Sequence, residues 1–201
     1  MNDKFFDLKK EKQDRMINGA LKVFAQNGYK RASTDEIVAE AGISKGLLFH
    51  YFVSKLGLYS FVYEYSVRYM LLELSTFIDK QESNYFTLTG QRQKAVCQVL
   101  KNYPYMKMFL DRAQTEDVFE ALEAVEDQKN LLQEKKLAFT EQADFNNFRP
   151  EADPVKICQI VDFTMHALME KQFVEGTFQP DMLFAETGEY LKMMAELVLQ
   201  K

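Results

Sequence analysis

Apolar side chains recur at helical spacing along most of the chain. In residues 8–27 they fall on one stripe of a helix, and the polar side chains lie outside it. The stripe consists of Met16, Ile17, Ala20, Leu21 and Phe24. Gly28 follows, and glycine takes the left-handed conformation that ends a helix at little steric cost. The pattern predicts a first amphipathic helix over residues 8–27.

Serines mark the starts of three more predicted helices. Ser33 and Glu36 have the spacing of a capping box, in which each side chain bonds the backbone amide of the other residue. That helix ends at Gly42, a short helix begins after Ser44, and a long helix begins after Ser54. The first two of these helices are therefore separated by a turn of three or four residues.

The middle of the chain has a weaker pattern. Residues 81–90 interrupt the helical period and are predicted to form a connection, and the period resumes at Gln91. Pro104 breaks it again, because proline lacks the amide hydrogen that a helix interior needs. Thr115 is a candidate cap for one long helix over residues 116–142.

The last third predicts two helices separated by a short connection. Residues 145–154 form a loop by their asparagine and proline content, and Asp153 followed by Pro154 is a typical helix start. The helix over 154–174 is apolar on more than one face, and the last helix runs over residues 180–200. The whole chain predicts an all-α fold of about nine helices. Only 8 Gly and 4 Pro in 201 residues agree with long helices rather than many tight turns.

Composition narrows the class of protein. The two cysteines, Cys97 and Cys158, lack metal-binding or redox spacing, and no apolar run is long enough to span a membrane. The N-terminal segment is too charged for a secretion signal, so we expect a cytoplasmic protein without a membrane partner. No nucleophile, zinc or phosphate-loop motif is present. We therefore expect no enzyme, no cofactor and no metal site.

Charge is unevenly distributed along the chain. Residues 1–60 hold 10 Lys and Arg against 7 Asp and Glu, whereas the remainder holds 15 against 23. The net charge of -5 is therefore the sum of +3 on residues 1–60 and -8 on the remainder of the chain. This difference favours an anionic partner for the N-terminal segment.

The stretch GISKGLLFHYF, residues 42–52, contains a turn and a short helix. Two helices joined by a short turn with glycine are typical of the helix-turn-helix, whose second helix enters the DNA major groove. Leu48, Tyr51 and Phe52 share the face that packs on the preceding helix. The opposite face presents Lys45, Gly46, Phe49 and His50 to DNA, with Leu47 at the boundary.

Residues 23–58, VFAQNGYKRASTDEIVAEAGISKGLLFHYFVSKLGL, resemble the tetracycline-repressor (TetR) family of one-component regulators. Two positions depart from the family pattern. Phe49 stands where the family usually has tyrosine, so a phenolic hydroxyl that reaches a phosphate is missing. Leu56 stands where an acidic residue usually follows Lys55.

The resemblance implies roles for nine residues. Thr34, Tyr51 and Lys55 would hold phosphates, Lys45, Gly46, Leu47 and Phe49 would face bases, and Ser33 and His50 would lie close by. The alternative for Tyr51 is a buried partner of Ile37. For Lys4, Lys9, Lys10 and Lys12 a solvated tail is preferred over a DNA-contacting arm. Residues 1–54 would form the helix-turn-helix DNA-binding domain.

The resemblance further implies that residues 55–201 form a ligand-sensing and dimerisation domain. The helices over 154–174 and 180–200 would build the homodimer interface. A small apolar or aromatic effector would contact residues on the helices that line the family's pocket: Tyr65, Tyr69, Tyr103, Met106, Phe109, Phe119, Phe163 and His166. Plain core packing is the alternative for each, and for His166 also an interface position.

Together these features predict a ligand-responsive transcriptional regulator, with repression as the expected sign. It would bind a palindromic double-stranded operator as a dimer and be released by its effector. The alternative is a helical protein-interaction module that does not bind DNA.

Overall fold

A computed structural model describes residues 3–200, which fold into ten α-helices after one short 3₁₀ helix. The 3₁₀ helix is Asp3–Asp7, and the α-helices are α1 Lys10–Arg31, α2 Thr34–Ala41, α3 Lys45–Phe52, α4 Lys55–Phe77, α5 Tyr85–Asn102, α6 Met106–Gln114, α7 Phe119–Glu123, α8 Glu126–Gln142, α9 Pro154–Val174 and α10 Pro180–Val198. No strand longer than an isolated bridge occurs in residues 3–200. The predicted all-α class is confirmed.

The predicted serine caps close the N-termini of three helices. Ser33 Oγ accepts from the amide of Asp35 at 3.2 Å, and Ser44 Oγ accepts from Leu47 at 3.2 Å. Ser54 Oγ accepts from the amide of Gly57 at 3.0 Å. Each bond satisfies one of the amides that a helix start leaves without a partner.

Three predicted boundaries differ from the structure. The first helix continues past Gly28, whose φ of 69° kinks it, and runs on to Arg31. Helix α5 begins inside the predicted connection, because Asn84 Oδ1 accepts from the amide of Thr87 at 3.0 Å and caps the helix. The predicted helix over 116–142 is two helices, α7 and α8. Thr115 closes α6 instead, through a 3.0 Å hydrogen bond from its hydroxyl to the carbonyl of Arg112.

The chain divides into two compact units. The first contains the residues up to Leu71 together with Asn102–Glu134, and the second contains Leu72–Lys101 and the residues from Lys135 onward. Helices α1 to α3, most of α4, and α6 therefore share the first unit. The core of that unit is rich in fully buried rings, namely Phe5, Phe24, Phe52, Tyr59, Tyr63, Tyr103 and Phe109.

The second unit has its own core between α5, α9 and α10. Its buried members are Tyr85, Phe86, Phe148, Val161, Met165, Leu191 and Val198. Several large apolar side chains of α9 and α10 are instead exposed: Val155, Ile160, Phe163, Met182, Phe184, Tyr190, Met193 and Leu197. Helix α9 thus has one face in the core and apolar side chains on another, as its sequence predicted. Across residues 3–200, no helix combines the length and the apolar character needed to cross a membrane.

Candidate nucleic-acid interface

Helices α2 and α3 form a helix-turn-helix. Gly42 ends α2 with a φ of 62°, and its amide donates to the carbonyl of Ala39. The amide of Ile43 donates to the carbonyl of Val38 at 3.1 Å, which closes the end of α2. Ser44 then caps α3, so glycine, turn and cap occupy only three residues. This tight connection fixes the angle at which α3 leaves α2.

Helix α3 has one buried and one accessible face. Leu48, Tyr51 and Phe52 are buried, which is the packing face that the helical period predicted. Lys45, Gly46 and His50 are exposed, and Leu47 and Phe49 are half-buried. The accessible side of α3 therefore carries the five predicted base-facing and neighbouring residues.

The start of α3 is cationic and sterically open. A Cβ added at Gly46 would meet no atom within 4 Å, so the backbone there is accessible to a partner. Lys45 Nζ lies 2.8 Å from Asp35 Oδ1, and both side chains are largely exposed. A surface ion pair of this kind contributes little to stability, so the protein loses little stability when Lys45 leaves Asp35 to bind another anion.

The start of α2 lies in the same motif. Ser33 and Thr34 are half-buried, and the Ser33 hydroxyl caps α2. The positive end of a helix dipole with free amides attracts phosphate. Thr34 stands in the first turn of α2, where its hydroxyl can add to that attraction.

Lys55, a predicted phosphate contact, makes bonds within the protein. Its Nζ donates to the carbonyl oxygens of Tyr29 at 2.9 Å and Ala32 at 3.3 Å, and the ammonium lies 4.4 Å from the centre of the Tyr29 ring. These bonds satisfy carbonyls at the end of α1. Whether Lys55 also neutralises a phosphate stays a prediction.

Tyr51 is mostly buried and touches rings on both sides. Its ring meets that of His50 at 4.9 Å and that of Phe5 at 5.8 Å, both edge to face. Phe5 is fully buried although it lies in a charged N-terminal segment, and helical periodicity did not predict this burial. The pair Phe5–Phe6 between charged residues is the signal that marks this segment as more than a solvated tail.

Three of the predicted effector contacts form one cluster in the first unit. The rings of Tyr65 and Tyr69 stack at 6.0 Å, and Tyr103 meets both edge to face. The Tyr103 hydroxyl donates to Asp14 Oδ1 at 2.6 Å and lies 2.6 Å from the Tyr65 hydroxyl. Burial and these hydrogen bonds raise the pKa of Tyr103 well above its ordinary value. Lys10 Nζ, 3.0 Å from the same hydroxyl, joins the cluster and is therefore not a plain solvated lysine.

The other predicted effector contacts are dispersed. Met106 and Phe109 are buried in the first unit, and Phe109 packs on the rings of Phe24, Tyr59 and Tyr63. In the same unit, Phe119 is 76% exposed on α7. Phe163, 71% exposed, and His166, which is also exposed and lies 3.7 Å from Glu170, belong to α9 of the second unit.

A small cleft of about 230 Å³ opens at the end of α1, and none of the predicted effector residues lines it. Its lining mixes basic and acidic side chains with backbone: Asn27, Gly28, Lys30, Arg31, Arg112, Thr115, Glu116 and Asp117. Glu116 Oε2 accepts from the amide of Tyr29 at 2.8 Å, and Glu120 Oε1 accepts from the Tyr29 hydroxyl at 2.8 Å. Tyr29 thereby links the end of α1 to the residues that follow α6.

Comparison with known proteins identifies the helix-turn-helix. The profile described as "Bacterial regulatory proteins, tetR family" matches residues 16–60. The HTH-type transcriptional regulator YuxN of Bacillus subtilis (strain 168) is 26% identical over 198 residues, which are 93% of this chain. The chain spans 65% of the length of that relative.

Solved structures share the fold along nearly the whole chain. The ketosteroid transcriptional regulator KstR2 of Mycobacterium tuberculosis superposes with a TM-score of 0.70 at 16% identity, covering 96% of this chain and 97% of that one. The regulator FadR from Bacillus subtilis, solved in complex with stearoyl-CoA, gives a TM-score of 0.55 at 12% identity, covering 90% and 96%. The matching profile describes bacterial regulatory proteins and YuxN is named as a transcriptional regulator, which agrees with the expectation of a protein that is not an enzyme. Residues 16–60, which include the helix-turn-helix of α2 and α3, thus match the tetR family of bacterial regulatory proteins, and the fold of the chain is similar to the folds of solved transcriptional regulators.

Proposed function

We propose that this protein is a ligand-responsive repressor that binds double-stranded DNA through α2 and α3. One observation carries the proposal. Helix α3 buries Leu48, Tyr51 and Phe52, and it leaves its N-terminal turn and opposite face accessible. A short capped helix with one accessible face is the element that enters a major groove.

The residues divide by the part of DNA that they meet. Thr34 and Tyr51 contact phosphates, with the α2 N-terminus adding the attraction of its dipole. Lys45, Gly46, Leu47 and Phe49 face base edges, and Ser33 and His50 lie beside them. The apolar ring of Phe49 suits a thymine methyl rather than a phosphate. Lys55 holds the end of α1, and its charge adds to the field at the phosphates.

The protein acts as a homodimer on a palindromic operator. The exposed apolar side chains of α9 and α10, such as Phe163 and Leu197, support an interface along these two helices, because apolar patches of this kind mark interaction surfaces. A dimer matches a palindrome when its recognition helices stand about 34–36 Å apart. Residues 1–54 then serve DNA binding, and residues 55–201 serve sensing and dimerisation, in the cytoplasm.

A small, largely apolar effector releases the operator. The tyrosine cluster of Tyr65, Tyr69 and Tyr103 offers aromatic faces with hydroxyls at their edge. Met106, Phe109, Phe119, Phe163 and His166 complete the proposed contacts. FadR of Bacillus subtilis was solved with stearoyl-CoA, so molecules with an apolar acyl chain are a first class to test. Release requires that the effector bind the DNA-free state more tightly than the bound state.

Fluorescence anisotropy with a random-sequence duplex at several salt concentrations tests DNA binding itself. We expect affinity to fall linearly with salt on logarithmic axes, with a slope of about -0.9 for each neutralised phosphate. A protein-interaction module would show no binding to the duplex at low salt, and that result would reject the proposal.

A further inference from the structure

Phe5 fills a space between the recognition helix and α4. Its side chain is 0% exposed, and its ring centre lies 5.2 Å from that of Phe52 and 5.1 Å from that of Phe61. The adjacent Phe6 is 53% exposed. The 3₁₀ helix Asp3–Asp7 therefore inserts one of its two rings into the core beneath α3.

A buried glutamine fixes the same segment from the other side. Gln13 is 8% exposed, and its Nε2 donates to the carbonyl of Phe6 at 3.1 Å and to that of Leu8 at 2.7 Å. A buried amide with two backbone partners holds the register of the segment on α1. Two independent sets of contacts thus hold Phe5 in place: its ring packs on Phe52 and Phe61, and Gln13 bonds the backbone that follows it.

The ring contacts continue from Phe5 to the accessible face of α3. Phe5 meets Tyr51 edge to face at 5.8 Å, and Tyr51 meets His50 edge to face at 4.9 Å. Edge-to-face packing restricts the side-chain torsions of the rings involved. His50 and Tyr51 are both proposed DNA contacts, so the position of Phe5 limits where they can point.

We propose that Phe5 is a positioning residue for DNA binding, acting through Tyr51 and His50. The 3₁₀ helix Asp3–Asp7 is then part of the DNA-binding element, although the family profile begins at residue 16. This inference rests on the proposed DNA-binding function.

The test uses the full chain and a duplex first selected from a random pool by the wild-type protein. Phe5→Leu keeps an apolar group in the space but removes the ring. Two controls match it: Phe6→Leu removes the exposed neighbouring ring, and Phe24→Leu removes a fully buried ring that contacts Tyr29, Tyr59 and Phe109. Affinities for the selected duplex and for a random-sequence duplex are compared at a temperature where circular dichroism reports folded protein.

We expect Phe5→Leu to lower the ratio of selected to random affinity by about tenfold, the size of one lost specific contact. The two controls should leave that ratio within about twofold. A ratio for Phe5→Leu equal to that of Phe24→Leu would overturn the proposal, because a merely structural loss affects both duplexes alike.

Gln13→Ala provides the second variant, since it releases the segment without touching the buried ring. We expect the ratio to fall in the same direction, by about threefold. If Phe5→Leu does not fold, an unchanged ratio for Gln13→Ala overturns the proposal. A wild-type protein that binds neither duplex would instead reject the proposed function.

Discussion

The ammonium of Lys55 lies 2.9 Å from the carbonyl oxygen of Tyr29, a residue 26 positions earlier in the chain, and 4.4 Å from the centre of its ring. The first residue of α4 therefore holds the end of α1. The segment between them contains the whole helix-turn-helix. The Lys55 side chain therefore joins the residues that precede and follow the helix-turn-helix.

Replacing Lys55 with methionine should destabilise the protein by about 1–2 kcal/mol, because carbonyls at the end of α1 lose a charged donor. Urea unfolding followed by circular dichroism measures this loss. The control is Lys30→Met, which removes an exposed lysine from the same segment and should change stability by less than about 0.5 kcal/mol. Equal effects of the two substitutions would contradict the bonded role of Lys55.

The salt slope of DNA binding tests the phosphate role of Lys55 separately, since a lost phosphate contact reduces the slope by about 0.9.

Gly46→Ala should separate folding from DNA binding. A Cβ at this position meets no protein atom within 4 Å, and alanine favours a helix over glycine by up to about 1 kcal/mol. We expect an unchanged or slightly raised melting temperature together with at least about tenfold weaker operator binding. Anisotropy titration of the variant beside the wild type checks this. Full operator affinity would show that no DNA atom approaches this backbone.

Met193→Glu combined with Leu197→Glu should produce a monomer. The two side chains are one helical turn apart on α10 and both are exposed in the single chain. Burying either carboxylate in an apolar interface costs several kcal/mol. Sedimentation velocity measures the association state, with Lys192→Glu as a control that adds a carboxylate to an exposed position of the same helix. A double variant that sediments as the wild-type dimer would remove α10 from the interface.

Stability should fall as the pH rises above about 9. Burial, and then the hydrogen bond to Glu120, raise the pKa of Tyr29 to about 12, whereas burial raises that of Cys97 to about 12. The unfolded chain loses these protons near pH 10 and pH 8.5, so between those values and pH 12 it binds fewer protons than the folded protein. The unfolding equilibrium constant should then rise by up to about tenfold per pH unit for each group. Urea unfolding at pH 8, 10 and 11 checks the trend.

Tyr29→Phe is the control for this alkaline transition. It removes one ionisable group, so its stability should decline less steeply with pH than that of the wild-type protein. Identical pH slopes for the two proteins would exclude Tyr29 as a source of the transition.

Local sequence signals predicted the helix-turn-helix. They did not predict features that depend on contacts between residues far apart in the chain. Ser33, Ser44 and Ser54 cap the next helices because a cap needs only atoms two or three residues away. The burial of Phe5 and the bonds of Lys55 depend on partners far along the chain, which periodicity does not register.

The proposed effector contacts show the same limit. An aromatic residue on a helix can face a core, a cavity or a partner, and its spacing alone does not distinguish them. Tyr65, Tyr69 and Tyr103 lie together, whereas Phe119 and Phe163 are exposed. The break between α7 and α8 was missed because neither glycine nor proline marks it.

Selection of bound duplexes from a random pool by the full chain tests DNA recognition most directly. We expect enrichment of an inverted repeat whose half-sites are centred about one helical turn apart, or a multiple of it, as two α3 helices of a dimer require. The Lys45→Ala variant should lose base preference at particular positions of each half-site rather than across the whole site. A pool that shows no enriched sequence after repeated rounds at low salt would contradict sequence-specific DNA binding by this protein.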